Sequence, residues 1–287
     1  MAIKTILVPI RGDGKGEGVL DHVCALASRS GAHIEAVHAS ARPEEYLPYG
    51  TLISARMKET ILQSARANAD EEGARFRSLF NSYCTTNKLT ILEAPPSPGN
   101  QVTASWREET GKQASIVALR GRLADVIAVP RPDHESRLGI NTLEAALIET
   151  GKLVLMTPDA PATKVGSHVT IAWNGSSQSS RAVMLAMPIL NAADKVTILV
   201  ADTGDAIELS ATDLADHLRW HNIEPDISTF KASVSDLGKP LLKHALDLGS
   251  DLLVMGAFGQ NRGRELILGG VTQYVIEHAT LPVLFSH

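Results

Sequence analysis

Residues 251–272 read DLLVMGAFGQNRGRELILGGVT, and their reading decides the fold. Residues 251–255 (DLLVM) are an apolar run of the length of a buried strand. The run enters Gly256 directly. Gly259 follows, then a polar loop holding Gln260, Arg262 and Arg264, and Gly269 and Gly270 open a helix at Val271. Glycines after a strand let the backbone turn sharply and approach a ligand closely. The N-terminus of the next helix offers unpaired N–H groups and a partial positive charge. In an open parallel sheet such a loop lies beyond the C-terminal strand ends, where ligands bind. The complete strand–GxxG–x9–GG–helix arrangement fits an anion site for phosphate. The same glycines would also serve as plain strand-to-helix turns.

Working outward, the second half alternates regularly. Strands are expected at 168–173, 195–201, 225–230, 251–255 and 281–285, with helices at 179–191, 211–221, 237–249 and 269–279. Residues 158–166, PDAPATKVG, lack periodicity and mark a linker. The first half shows the same order. Its strands are expected at 4–10, 33–39, 89–94, 125–130 and 153–157, and its helices at 18–30, 54–83, 112–123 and 141–150. Residues 125–129 (DVIAV) parallel 251–255 (DLLVM), and 143–157 parallel 271–285. Alternating strands and helices imply a parallel sheet covered on both faces. The expected fold is α/β: two tandem Rossmann-like domains, 1–160 and 161–287, each a five-stranded parallel sheet. The alternative is one larger doubly wound sheet. The first copy carries the longer segment between its second and third strands.

The chain has 287 residues, 44% hydrophobic and 21% charged, with a net charge of −5. That balance suits a globular protein and argues against a nucleic-acid partner, which usually meets a basic surface. The two cysteines, Cys24 and Cys84, form no CxxC and lie in helical stretches, which fits a reducing compartment. No apolar run approaches the roughly 20 residues of a membrane-spanning helix, and MAIKTILVPI at 1–10 reads as a strand, not a leader. A cytoplasmic location without membrane contact is expected.

Gly256, Gly259 and Gly269, with Pro282-Val283-Leu284 near the end, resemble the universal stress protein family, whose pattern is G-x2-G-x9-G before a helix and a last PVL-like strand. Ala172-Trp173-Asn174-Gly175-Ser176 stands where that family ends its first strand in V-D-G-S-like residues. The resemblance implies domains of the adenine nucleotide alpha hydrolase-like type, which in some members bind ATP or a related adenine nucleotide. It implies a site from Asn174, Gly175, the strand end at Val200 and Ala201, and Gly256, Gly259, Gln260, Arg262, Gly269, Gly270, Val271 and Thr272. ATP or AMP, with Mg alongside, would be the ligand.

Two residues depart from that pattern. Gly270 replaces a hydroxyl residue, which removes a side-chain bond to phosphate of about 1–2 kcal/mol. Thr272 is the nearest hydroxyl that could take over part of that role. Asn174 replaces an acidic residue, keeping hydrogen bonding without charge; Asn-Gly is equally a common turn pair. In the first half the loop is lost: Pro130-Arg131-Pro132-Asp133 follows the fourth strand, and Gly139 stands alone. Arg11-Gly12-Asp13-Gly14-Lys15-Gly16 matches no phosphate motif and reads as a flexible turn.

Other candidates rank lower. Asp213, His217 and His221 share a helix face but lack the HExxH glutamate, so a solvated face is the better reading. His38 reads as a polar strand-end residue and Trp173 as core. The leading expectation is a stress-response protein that binds adenine nucleotide for sensing or signalling, not catalysis. A scaffold without nucleotide comes second and a slow ATP hydrolase last. The two repeats are expected to associate within the chain; the sequence leaves a homodimer open.

Overall fold

Short apolar runs become strands because a parallel sheet covered on both faces accepts continuous hydrophobic sequence. The computed structural model describes residues 2–50, 52–95, 101–162, 164–204, 209–233, 236–257 and 270–287. The first half contains β1 (Thr5–Ile10), α1 (Gly16–Ala27), β2 (His33–Ser40), α2 (Ala55–Thr86), β3 (Thr90–Ile91), β4 (Thr103–Thr110), α3 (Gln113–Arg120), β5 (Val126–Pro130), α4 (Ile140–Glu149) and β6 (Leu153–Thr157). The second contains β7 (His168–Trp173), α5 (Ser177–Leu190), β8 (Lys195–Asp202), α6 (Ala211–Arg219), β9 (Asp226–Lys231), α7 (Gly238–Asp247), β10 (Leu252–Gly256), α8 (Gly270–His278) and β11 (Val283–Ser286).

These strands form one sheet in the order β3-β4-β2-β1-β5-β6-β11-β10-β7-β8-β9. Each half contributes the same internal order, third-second-first-fourth-fifth, as β4-β2-β1-β5-β6 and β9-β8-β7-β10-β11. Alternate side chains feed two cores. Ile6 and Val8 face the layer of α1, α2, α5 and α6, while Leu7 faces that of α3, α4, α7 and α8. Both cores run through both halves.

The duplicated DVIAV and DLLVM runs now have a physical role. The Asp125 carboxylate accepts from the Lys4 and Thr5 amides at 2.7 and 3.0 Å. The Asp251 carboxylate accepts from the Gly166, Ser167 and His168 amides at 2.9, 2.9 and 3.1 Å. In each half this aspartate therefore holds the start of the first strand beside the fourth.

One strand departs from expectation. The third strand was expected at 89–94, but there only Thr90–Ile91 pair, at the sheet's edge. The strand beside β2 is β4, TASWREET, in register from His33↔Thr103 to Ser40↔Thr110. Only its first two residues are buried, so it lacks the apolar run that marks a strand. Backbone pairing along all of β2, an ion pair from Arg107 to Glu35 at 2.6 Å, and the His33 ring between the Thr103 and Ser105 hydroxyls fix it instead.

The halves meet at β6 and β11, the one antiparallel pair among the described residues, with Val283↔Met156, Leu284↔Leu155 and Phe285↔Val154 in register. The association of the two repeats thus lies within the chain. Phe285 is fully buried at this seam. Phe285→Ala should lower unfolding stability by about 3–5 kcal/mol, whereas Tyr49→Ala, at a fully exposed position, should stay within about 0.5 kcal/mol. Denaturant titration checks both.

Stability should also depend on pH through histidine. Burial lowers the proton affinity of His22, His33 and His168 below the ordinary value of 6.5. The unfolded chain then binds more protons than the folded one just below that value, so stability rises with pH there. It is complete above 6.5 and declines as pH falls from 6.5 through the lowered folded values. The shifted aspartates, Asp133, Asp159 and Asp213, act separately, below the ordinary carboxylate value of 3.8. Thermal melts between about pH 7.5 and about pH 5.5 should show a falling midpoint, and His33→Gln should flatten part of that fall.

Candidate functional site

β7 and β10 are neighbours in the sheet, yet β7 leads into α5 and β10 towards α8. The strand order reverses here, which opens a crevice beyond their C-terminal ends. Trp173 ends β7 and is buried, its indole N–H donating to the Leu209 carbonyl at 2.9 Å. It is in register with Val200, so Asn174 leaves the sheet beside Val200 and Ala201 of β8.

The turn after β7 is built locally. The Asn174 side-chain oxygen accepts from the Ser176 amide at 3.1 Å and from its hydroxyl at 2.7 Å. Gly175 takes φ +72°, the left-handed region that glycine enters without strain. Ser176 then caps α5 by accepting from the Ser179 amide at 3.2 Å. The Asn174 oxygen is therefore committed to the turn.

Gly256 ends β10 against the start of α5. A Cβ there would lie 2.6 Å from the Gln178 carbonyl carbon and from the Ser179 nitrogen, both backbone atoms. This glycine permits close approach of helix and strand, whatever it does for a ligand. Gly270 is different: it opens α8, is exposed, and a Cβ on it would meet no atom of the described residues within 4 Å. Val271 is half-buried, and Thr272 is 4% exposed. A hydroxyl at 270, not 272, would therefore stand in the open. Gly259, Gln260, Arg262 and Gly269 lie outside the described residues. Arg181 escaped sequence reading, and His287, which sequence reads as a frayed last residue, is held here. The Arg181 guanidinium donates to the His287 carbonyl at 2.8 Å, and the His287 ring lies 3.4 Å from the Ala257 carbonyl. Only the sheet brings them together.

The corresponding place in the first half is filled by the protein's own charges. Asp159 pairs with Lys15 at 2.8 Å and Arg131 at 2.6 Å. Burial alone would raise the Asp159 carboxyl, but hydrogen bonds from Lys15 and Arg131 hold it below the usual range. Arg131 also donates to the Glu277 and Ala279 carbonyls at 3.2 and 3.4 Å, at the C-terminal end of α8. The remaining cavity, about 260 Å³, carries both signs of charge, including Lys15, Asp133 and Glu135. His38 is buried inside β2. On α6, Asp213 closes a capping box with Ser210, while the His217 ring contacts that of His221, in the turn after the helix, edge-on at 5.0 Å.

A model of the universal stress protein family matches residues 221–287, the stretch that carries the glycine pattern. No curated protein sequence matches. Among solved structures, a universal stress protein from Archaeoglobus fulgidus DSM 4304 superposes with a TM-score of 0.66 at 13% identity, covering 98% of this chain and 97% of that one. A functionally unknown protein from Pseudomonas aeruginosa PAO1 superposes with a TM-score of 0.55 at 15% identity, covering 99% and 92%. The chain is thus similar to universal stress proteins in sequence over its last quarter and in fold over its whole length.

The contrast between the two glycines is measurable. Gly256→Ala should destabilise the protein by about 1–3 kcal/mol through overpacking, and Gly270→Ser should leave stability within about 0.5 kcal/mol.

Proposed function

We propose that the chain is a stress-response protein that binds ATP or a related adenine nucleotide in its second half, residues 161–287, for sensing or signalling and not for catalysis. In this reading residues 1–160 form a degenerate partner domain. The observation that carries it is the family match over residues 221–287, together with Gly256 at the end of β10, beside the switch point with β7. Phosphates would sit on amides at the start of α8, from Gly269 to Thr272, and on the loop through Gly256, Gly259, Gln260 and Arg262. The nucleoside would lie against Val200 and Ala201, with the Asn174 amide as donor and Mg beside the phosphates. A cytoplasmic setting goes with free Cys24 and Cys84. Among the described residues, no helix is long and apolar enough to cross a membrane.

A second reading, a scaffold without nucleotide, is favoured by the first half's strand ends, where Asp159 takes both cations.

Titration with labelled ATP and AMP separates the readings. Saturable binding is expected, weakened at least about tenfold by Gly259→Asp or Gly269→Asp, which set a carboxylate against phosphate. Gly270→Ser should tighten it roughly threefold to tenfold, the worth of one added hydrogen bond. Absence of binding by the parent chain overturns the proposal in favour of the scaffold. Sustained phosphate release would favour a slow hydrolase.

A further inference from the structure

The first half has a groove of about 360 Å³ that the nucleotide reading does not use. It lies between the Arg11–Gly16 loop, the start of α1 and the second half of α2. Its size is at the small end of the range for small-molecule sites.

The groove has an apolar wall and a charged rim of Arg11, Arg75 and Glu17. Leu20, Phe76, Leu79 and Phe80 form the wall. Phe76 and Phe80 are buried, but Leu79 between them is 49% exposed, so the apolar surface of α2 continues out of the core into the groove. Arg11 and Arg75 also line it. Arg75 enters no ion pair or hydrogen bond among the described residues; its guanidinium lies 4.8 Å above the Phe76 ring. Arg11 pairs with Asp13 at 2.6 Å, but its Nε is buried and has no partner among the described residues. His38 lies behind the wall, 5.1 Å from the Phe76 ring, and its Nε2 is likewise buried and unpartnered. Buried polar atoms without partners are rare, and each asks for an explanation.

The loop is shaped to the groove. A Cβ on Gly12 would come within 3.1 Å of Phe76 Cζ, so glycine lets the loop close onto α2. Gly14 takes φ +76°, which other residues adopt only with strain. The glycine-rich stretch, which matches no phosphate motif, therefore has work as the rim of this groove.

We propose that the groove binds a small amphipathic carboxylate, with its apolar body against Leu20, Phe76, Leu79 and Phe80 and its carboxylate against Arg11 and Arg75. A neutral apolar ligand would leave the Arg11 Nε without an acceptor and Arg75 without a counter-charge. A bare anion would leave Leu79 and the phenyl faces uncovered. The site is independent of the nucleotide reading, since it uses other elements in the other half.

Octanoate is the probe, titrated into the full chain by calorimetry and by tryptophan fluorescence. Trp106 reports occupancy because its ring lies 5.4 Å from Phe80. Saturable octanoate binding is expected, with octanol and acetate each at least roughly tenfold weaker, since each lacks one half of the recognition. Arg75→Gln should weaken octanoate roughly tenfold, the loss of a charge-assisted contact. Leu79→Trp should fill the groove and abolish binding while the cooperative melt is retained; Leu79→Glu, which removes apolar surface and repels the carboxylate, serves in its place if the larger residue disturbs folding. Excess ATP should not displace octanoate. Absence of saturable binding, equal binding of octanol, insensitivity to these substitutions, or displacement by ATP would each overturn the proposal.

Discussion

The pairs Val283–Met156, Leu284–Leu155 and Phe285–Val154 carry the one antiparallel junction among the described residues of an otherwise parallel sheet. A parallel five-stranded unit that stops at its last strand exposes a row of unpaired N–H and C=O groups, an open template for association. Here each half has such an edge, and each covers the other's. The match is nearly two-fold, with Leu155 opposite Leu284 at its centre, as at a symmetric interface between identical subunits. Side chains on both sides of the sheet then merge, so the two cores extend through both repeats.

That junction also sets what the two halves can do. Antiparallel pairing brings the end of α8 beside the first half's strand ends, where Arg131 reaches the Glu277 and Ala279 carbonyls. A cation there complements the negative end of the helix dipole. The opposite end of α8 begins at Gly270, where the candidate phosphate site lies. One half thus supplies charge to brace a helix of the other half. The cations that could have held a ligand in the first half are consumed by Asp159 and by this bracing.

Much of the fold was legible because buried parallel strands are apolar runs and the repeat doubled the signal. DVIAV and DLLVM stood out as equivalent, and their aspartates prove to do the same job in each half. β4 was not legible. Its sequence, TASWREET, is strand only because β2 offers it a full row of backbone partners. The seam was foreseen as an association and not as a register, since no local pattern encodes which edge a last strand will meet. At the candidate site, sequence named the turn at Asn174–Ser176 and the start of α8 but not Arg181, and it read His287 as a frayed end although Arg181 holds its carbonyl. The glycines also divided in a way their spacing could not show: Gly256 is held by contact with α5, and Gly270 is open.

The seam's place inside a single chain is the claim on which the rest depends, and amide hydrogen exchange tests it most directly. The account predicts that amides of 153–157 and 283–286 exchange as slowly as those of β1 and β5, at rates independent of protein concentration. Exchange as fast as that of the edge strands Thr90–Ile91 and Asp226–Lys231 would contradict it. So would protection of those amides that appears only as the protein is concentrated, since the seam would then form between chains.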